Sequence, residues 1–212
     1  MPRAKILVTV LLSFLVIGGV SIVKVLRTPG TIEGPLSGPG DRAHTRLLGD
    51  PAAPVRVVAF TDFQCPACAQ AAEVVKILFV RLPGVFSFEF RYYPFPMHFF
   101  SRRASVYAEC MAAQKLFWPF HDVLFRSQMS WGRMEVVDPY FTDLAVSLGA
   151  DGVALKACVN SGVPEKAIDQ DLGEGRVRGV RATPTFFVNG KMVVGVHDLE
   201  REIRRARGED FL

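Results

Sequence analysis

Two cysteines separated by two residues, Cys65-Pro66-Ala67-Cys68, constrain the fold of this chain more than any other feature. They directly follow an apolar, β-branched run from Val55 to Phe60, which predicts a buried strand. Apolar residues then recur at helical spacing until Pro83-Gly84 ends the pattern. The sequence therefore predicts a strand, a tight turn that carries both cysteines, and a helix that begins at the turn.

Strand patterns return at three places after this helix. Residues Val85 to Tyr92 alternate apolar and polar side chains, which predicts a second strand that we expect to run parallel to the first. Thr185 to Val188 and Lys191 to Val194 flank Asn189-Gly190, a strong signal for a two-residue hairpin turn. These segments predict the remaining strands of one sheet.

Between Ser101 and about Arg178 the apolar spacing is helical, and we expect four or five helices there. The clearest one spans residues 138–148, with Asp138 as its N-cap and Gly149 directly after its end. A charged helix from Leu199 to Arg207, with a solvated arginine face, closes the chain. The predicted fold class is α/β, with an all-helical insertion at about residues 98–178.

The N-terminal segment from Ile6 to Val23 is long and apolar enough to span a bilayer. Its 18 uncharged residues form a helix of about 27 Å, close to the thickness of a hydrocarbon core. We expect residues 1–27 to be an uncleaved transmembrane anchor, while small residues near its end keep a cleaved signal peptide as an alternative. Residues 28–50 are rich in Gly and Pro and predict a linker, so residues 51–212 form the folded domain.

Composition excludes several classes of protein. Hydrophobic residues make up 50% of the chain and charged residues 22%, which is typical of a globular protein rather than a disordered one. The net charge of +4 is modest and forms no basic stripe, so we expect no nucleic-acid partner. An even count of four cysteines with one close pair is typical of redox chemistry outside the cytosol.

The spacing of the close pair gives the two cysteines different chemistry. Cys65 falls at or beside the N-cap of the predicted helix, where free N–H groups and the helix dipole stabilise a thiolate. Cys68 lies one turn further and is more shielded, so Cys65 is the candidate nucleophile. A structural zinc site is the alternative, but it needs two more ligands, and Cys110 and Cys158 stand singly and far apart. We therefore predict no metal at the pair.

Three separated motifs resemble the DsbA-like thiol:disulfide oxidoreductases. They are FTDFQCPAC from Phe60 to Cys68, ASVYAECMAAQKLFWPFHDVLF from Ala104 to Phe125, and TPTFFVNG from Thr183 to Gly190. The resemblance covers most of residues 55–207 and implies a thioredoxin fold with a helical insertion, which agrees with the order of elements. It also implies that the protein needs no dissociable cofactor.

The resemblance assigns roles to further residues of the active site. It implies a cis peptide bond between Thr183 and Pro184, and contact of both residues with an extended substrate; an ordinary turn before a strand is the alternative. Pro66 and Ala67 form the active-site turn. The most oxidising members of the family have His in place of Ala67, so we expect a lower reduction potential than theirs.

The remaining polar candidates each carry two interpretations. Cys110 and Cys158 are expected to form a structural disulfide, because an exported chain meets oxidising conditions. The resemblance implies the same, since some family members have a disulfide in this insertion. Two buried free thiols are the alternative. Asp62 is a candidate proton acceptor if it is buried near the thiols, or else a solvated loop carboxylate.

Two histidines and a group of aromatic residues are less specific. His98 has either a redox role or a packing or helix-capping role, and His121 is interpreted as a helix-surface or packing residue. Phe95, Phe99 and Phe100 form either an apolar rim for unfolded substrates or part of the core.

Together these features predict a thiol:disulfide oxidoreductase on the outer side of a cell membrane, attached by a single span. It would form disulfides in cysteine-containing exported proteins and exchange electrons with a membrane thiol-oxidising or thiol-reducing partner. A protein-disulfide reductase or isomerase is the nearest alternative. A different class is a thioredoxin-fold copper carrier that binds the metal through Cys65 and Cys68, with Met97 or His98.

Overall fold

The computed structural model describes residues 45–209. The predicted transmembrane anchor, residues 1–27, and most of the predicted linker lie outside these residues. Within residues 45–209, none of the helices combines the length and the apolar character that a membrane span requires.

One five-stranded sheet forms the centre of the domain, with the strand order β1-β3-β2-β4-β5. The strands are β1 (Leu47–Leu48), β2 (Val55–Thr61), β3 (Phe86–Tyr92), β4 (Thr185–Val188) and β5 (Lys191–Val194). β2 and β3 are parallel, as the sequence predicts, and the other three pairings are antiparallel. The β4–β5 hairpin turns at Asn189, whose φ is 46°, and Gly190, whose φ is 88°.

Eight helices surround the sheet in the described residues. They are α1 (Pro66–Arg81), α2 (Ser101–Ala113), α3 (Phe117–Arg126), α4 (Gln128–Trp131), α5 (Asp138–Ser147), α6 (Gly152–Val159), α7 (Val163–Val177) and α8 (Leu199–Ala206). Helices α2 to α7 form the insertion between β3 and β4, so the α/β fold with a helical insertion is confirmed. The sequence predicted four or five helices here; the additional one is α4, which has only 4 residues.

Two large apolar clusters form the core on the two sides of the domain, and one of them contains the cysteine pair. One fills the space between the sheet, α1 and α8, and includes Val57, Leu78 and Ile203. The other fills the insertion and extends to Cys65 and Cys68. The cysteine turn therefore lies where the sheet and the insertion pack together, so residues of both can reach it.

Two details of the predicted fold are wrong. Residues 46–48 do not belong to a linker, because β1 pairs with β3 and the buried Arg46 donates a hydrogen bond to Asp171. Asp138 does not cap α5: the N-cap is Val137, and the Asp138 carboxylate accepts two hydrogen bonds from Arg103, at 2.7 and 2.6 Å. This charge-assisted bidentate pair competes successfully with capping.

Candidate active site

The cysteine turn is built by a strand end and a helix start. β2 ends at Thr61, and Cys65 is the N-cap of α1, with the extended backbone angles that an N-cap adopts. Pro66 follows as the first helical residue, where its lack of an N–H group leaves no helical hydrogen bond unmade. The predicted position of Cys65 at the helix N-terminus is thus confirmed.

The two thiols differ in access to solvent and in their hydrogen bonds. Both are free cysteines; Cys65 is 8% exposed and Cys68 is 1% exposed. In its protonated form, the Cys65 thiol donates a hydrogen bond to the carbonyl oxygen of Thr183 over 3.5 Å. The Cys68 sulfur accepts one from the backbone N–H of Asp62, also over 3.5 Å. Cys65 is therefore the sulfur that a substrate reaches first.

The pKa values of the two thiols are shifted in opposite directions. The hydrogen bond from Cys68 is the largest cause that lowers the pKa of Cys65, from 9.0 to about 5, against the opposing effect of burial. The Thr183 side chain and the N–H groups of Ala67 and Cys68 lower it further. Burial, followed by the hydrogen bond with Cys65, raises the pKa of Cys68 well above 9.0. At neutral pH the pair consequently holds a Cys65 thiolate and a Cys68 thiol.

The Thr183-Pro184 loop lies against this pair. β4 runs antiparallel to β2 with Thr185 opposite Phe60, so the residues before β4 lie at the same end of the sheet as the residues after β2. The peptide bond between Thr183 and Pro184 is cis, as the resemblance implies. The register of the sheet thus brings Thr183 next to Cys65 across 118 positions of sequence.

Asp62 is fully buried, so the interpretation as a solvated carboxylate is wrong. Its carboxylate accepts hydrogen bonds from the backbone N–H groups of Gln64 and Phe95, at 2.8 and 2.7 Å, and from Nδ1 of His98 at 2.7 Å. It is the backbone N–H of Asp62 that contacts Cys68. Asp62 therefore holds the turn in shape, and its role as a proton acceptor stays a prediction.

The loop between β3 and α2 forms the surface next to the turn. The backbone N–H of Phe100 donates to the Gln64 side chain at 2.7 Å, which fixes this loop beside Cys65. Phe99 is 82% exposed and Met97 is 80% exposed, whereas Phe95 and Phe100 are partly buried. Of the three predicted rim phenylalanines, Phe99 is the one that projects into solvent.

The structure decides between the interpretations of the two histidines, His98 and His121. His98 does not cap α2, whose N-cap is Phe100; its ring instead pairs with Asp62. His121 is buried, so its packing interpretation is confirmed and its surface interpretation is wrong. Within residues 45–209 no group of three or more His, Cys, Asp or Glu side chains is arranged to hold a metal ion.

Cys110 and Cys158 form a disulfide that joins α2 to α6. The alternative of two free thiols is wrong. Both cysteines lie in the helical insertion, and neither takes part in the hydrogen bonds around Cys65. The disulfide therefore has a structural role, linking two helices of the insertion.

Gln128, which no sequence pattern singled out, also supports the turn. Its buried side-chain amide donates to the carbonyl oxygens of Phe63, at 2.8 Å, and Cys65, at 3.0 Å. The bond to Cys65 spans 63 positions of sequence. Because Gln128 reaches the turn only when the insertion packs on the sheet, no local pattern could identify it.

A cysteine pair at a helix N-terminus, packed against a cis-proline loop and covered by a helical insertion, defines the DsbA-like form of the thioredoxin fold. The chain belongs to the thioredoxin family, whose sequence model matches residues 41–204.

Solved structures share this fold. BdbD from Bacillus subtilis has a TM-score of 0.68 and 26% identity, covering 76% of this chain and 91% of that one. MdbA, a thiol-disulfide oxidoreductase from Corynebacterium diphtheriae, has a TM-score of 0.62 and 22% identity, covering 76% of this chain and 88% of that one.

The curated relatives are much longer proteins. The Na(+)/H(+) antiporter NhaA 3 of Salinispora tropica is 34% identical over 171 residues, which cover 76% of this chain and 24% of the antiporter. The chain thus spans about a quarter of the length of the curated relatives it matches.

Proposed function

We propose that this domain is a thiol:disulfide oxidoreductase that forms disulfides in exported proteins. The observation that carries the proposal is the asymmetry of the pair: Cys65 is the more exposed cysteine and its pKa is lowered to about 5, whereas burial raises the pKa of Cys68. A stabilised Cys65 thiolate favours the reduced pair, so its disulfide is readily passed on. The thiol-disulfide oxidoreductase MdbA has the same fold.

The reaction starts from the Cys65–Cys68 disulfide. A substrate thiolate attacks the Cys65 sulfur, the Cys65–Cys68 bond breaks, and Cys68 leaves and takes up a proton. The second substrate thiolate then attacks the substrate sulfur of the mixed disulfide and releases the Cys65 thiolate. Two electrons pass from the substrate to the pair, and a membrane thiol-oxidising partner must remove them before the next cycle.

The proposed direction of electron flow, from substrate to the cysteine pair, rests on the lowered pKa of Cys65. The residue at position 67 makes the pair a weaker oxidant. Ala67 supplies no imidazole to stabilise the thiolate further, which favours a potential below that of the strongest oxidants. Such potentials run from about −120 mV for DsbA to about −270 mV for thioredoxin. A protein-disulfide reductase or isomerase differs from the proposed oxidase only in this value and in its partner.

We also propose that residues 6–23 anchor the protein and that residues 51–212 face the outside of the cell. The apolar run supports the anchor, and the Cys110–Cys158 disulfide supports an oxidising compartment.

The activity is tested by mixing the oxidised protein with a reduced dithiol peptide. We expect the peptide to gain a disulfide, and equilibration with glutathione to give a potential between the two limits above; a value near that of thioredoxin favours the reductase. The Cys65→Ser, Cys68→Ser double variant is the control. Stoichiometric copper(I) binding without peptide oxidation would instead support the metal carrier.

The location is tested by fractionating cells and treating intact cells or spheroplasts with protease. We expect the full-length protein in the membrane fraction and digestion of the domain from outside. A soluble mature protein that starts near residue 20–30 would indicate a cleaved signal peptide.

A further inference from the structure

A cavity of about 120 Å³ lies behind Cys68, where α1 and α3 pack on the sheet. Its walls are mostly apolar and include Phe88, Phe90, Trp118, Phe125 and Phe186. Cys68 lines it together with Thr61, Lys76, His121 and Asp122. One water needs about 10–15 Å³ of such volume and two to four polar partners, so the cavity has the space and the polar groups to hold water beside Cys68.

His121 is fixed in this cavity by aromatic neighbours and by one carboxylate. Its ring centroid lies 5.0 Å from that of Trp118 and 4.9 Å from that of Phe125. Nδ1 lies 2.9 Å from Oδ1 of Asp122, whose Oδ2 lies 3.2 Å from Nζ of Lys76. A carboxylate at Nδ1 favours the tautomer with the proton on that nitrogen, which leaves Nε2 free to accept a proton.

Cys68 needs a proton acceptor whenever it attacks a mixed disulfide at Cys65. It is 1% exposed, so bulk water does not reach its thiol directly. The Cys65 sulfur is bonded to the substrate at this stage and is not a base. The Asp62 carboxylate already accepts hydrogen bonds from two backbone N–H groups and from His98. The other bases that line the cavity with Cys68 are the imidazole of His121 and the carboxylate of Asp122, and that carboxylate already contacts His121 and Lys76.

We propose that His121 is the general base for Cys68, accepting its proton at Nε2 through water in the cavity, with Asp122 and Lys76 as positioning residues. The inference rests on the proposed thiol exchange. The proton moves from Cys68 to His121, the Cys68 thiolate attacks the Cys65 sulfur, the Cys65–Cys68 bond forms, and the substrate leaves as a thiolate. In the oxidising direction Cys68 leaves as a thiolate and takes up a proton from water in the same cavity.

The charges around His121 are compatible with this role. The charged groups that face it are Asp122 on its own helix and Glu73 and Lys76 on α1. Burial is the largest effect and lowers the pKa of His121 below 6.5, so the ring is neutral and able to accept a proton at pH 7. Burial opposes ionisation of Asp122, but the hydrogen bond from His121 and the charge of Lys76 lower its pKa on balance.

The test separates the two thiols kinetically. The reduced full-length protein is mixed with an aromatic disulfide whose released thiolate absorbs visible light. Cys65 attacks first and releases one aromatic thiolate; Cys68 then attacks the mixed disulfide and releases the second. We expect His121→Gln to slow the second release about 100-fold at neutral pH and to leave the first unchanged. The matched control is His197→Gln, because the His197 side chain is 95% exposed.

The pH profile distinguishes a base from a packing residue. In the native protein the second release is expected to level off above the pKa of His121. In His121→Gln it is expected to rise about tenfold per pH unit, because hydroxide replaces the imidazole. An unchanged rate and profile in a folded His121→Gln protein would overturn the proposal. If the native protein released no first aromatic thiolate, the proposed thiol exchange itself would be wrong.

A second variant covers the case in which His121→Gln does not fold. Asp122 is one-third exposed, so Asp122→Asn is expected to keep the fold. It removes the carboxylate that fixes the tautomer, and we expect the second release to slow by about tenfold or more. An unchanged second release in Asp122→Asn would then refute the proposed relay.

Discussion

Oδ2 of Asp62 lies 2.7 Å from Nδ1 of His98, although the two residues are 36 positions apart in the sequence. This bond links the turn before Cys65 to the loop that follows β3. The same carboxylate also accepts the N–H groups of Gln64 and Phe95, so one buried side chain determines how the two segments pack. The shape of the active site therefore depends on Asp62 as much as on the cysteines.

We expect Asp62→Asn to destabilise the domain by about 2 kcal/mol, because hydrogen bonds to charged groups contribute about 1.5–3 kcal/mol and an amide cannot accept all three donors. Urea denaturation measures the change. The matched control is Asp169→Asn, since Asp169 is 62% exposed and pairs with Arg102 on the surface; its effect should stay below about 0.5 kcal/mol. Equal effects of the two variants would contradict the role of Asp62.

The stability of the reduced protein should rise with pH between about 5 and 9. The pKa of Cys65 is lowered from 9.0 to about 5 in the folded protein, so between these values the unfolded chain binds more protons than the folded one. The contribution is complete above 9 and is lost as the pH falls through 5. Above 9 the raised pKa of Cys68 acts in the opposite direction.

This pH dependence is measured by urea denaturation in the presence of a reductant, against Cys65→Ser as the matched variant. The difference between the two proteins isolates the Cys65 thiolate from other titrating groups. A difference that does not change between about pH 5 and pH 9 would contradict the lowered pKa of Cys65.

The sequence could predict those parts of the fold and site that depend on local patterns. Pro66 after a β-branched run sufficed to place Cys65 at a helix N-terminus, and the alternation of residues 85–92 sufficed to predict a strand. The strand β1 could not be predicted, because Leu47–Leu48 is only 2 residues long and exists through its pairing with β3.

The supporting contacts of the site could not be predicted because they join distant segments. Gln128 reaches Cys65 across 63 positions, and His98 reaches Asp62 across 36. His121 lies in a helix whose sequence is mostly apolar, and nothing in that sequence shows which side of the helix its ring faces. Only the packing of α3 against α1 and the sheet shows that its imidazole lines a cavity with Cys68.

Replacing both Cys110 and Cys158 with Ala should lower the melting temperature but leave thiol exchange largely intact. The disulfide closes a segment with a sequence separation of 48. In the loop-entropy account such a closure contributes about 4 kcal/mol to the free energy of unfolding. Calorimetry and peptide oxidation on the same preparation measure both effects. Loss of exchange in a protein that remains folded would refute the purely structural assignment.

Phe99 should contribute to the binding of unfolded substrates. It is 82% exposed, and its neighbour Phe100 is hydrogen-bonded to Gln64 beside Cys65. Since an apolar anchor in an interface contributes more than about 1 kcal/mol, Phe99→Ser should raise the KM for a reduced unfolded protein about tenfold. The KM for a short polar dithiol peptide should not change. Val153→Ser is the control, because Val153 is 83% exposed but lies on α6; an equal effect there would contradict the prediction.

Cys68→Ala should trap substrates covalently through Cys65. Cys65 combines the lowered pKa with the greater exposure of the pair, so it forms the mixed disulfide, and without Cys68 no second thiol of the protein can resolve it. Non-reducing electrophoresis and mass spectrometry of the trapped species identify the linked cysteine. Cys65→Ala should be inactive and trap nothing, because burial leaves Cys68 protonated and hard to reach. Trapping through Cys68 in Cys65→Ala, with none through Cys65 in Cys68→Ala, would reverse the assigned roles of the two cysteines.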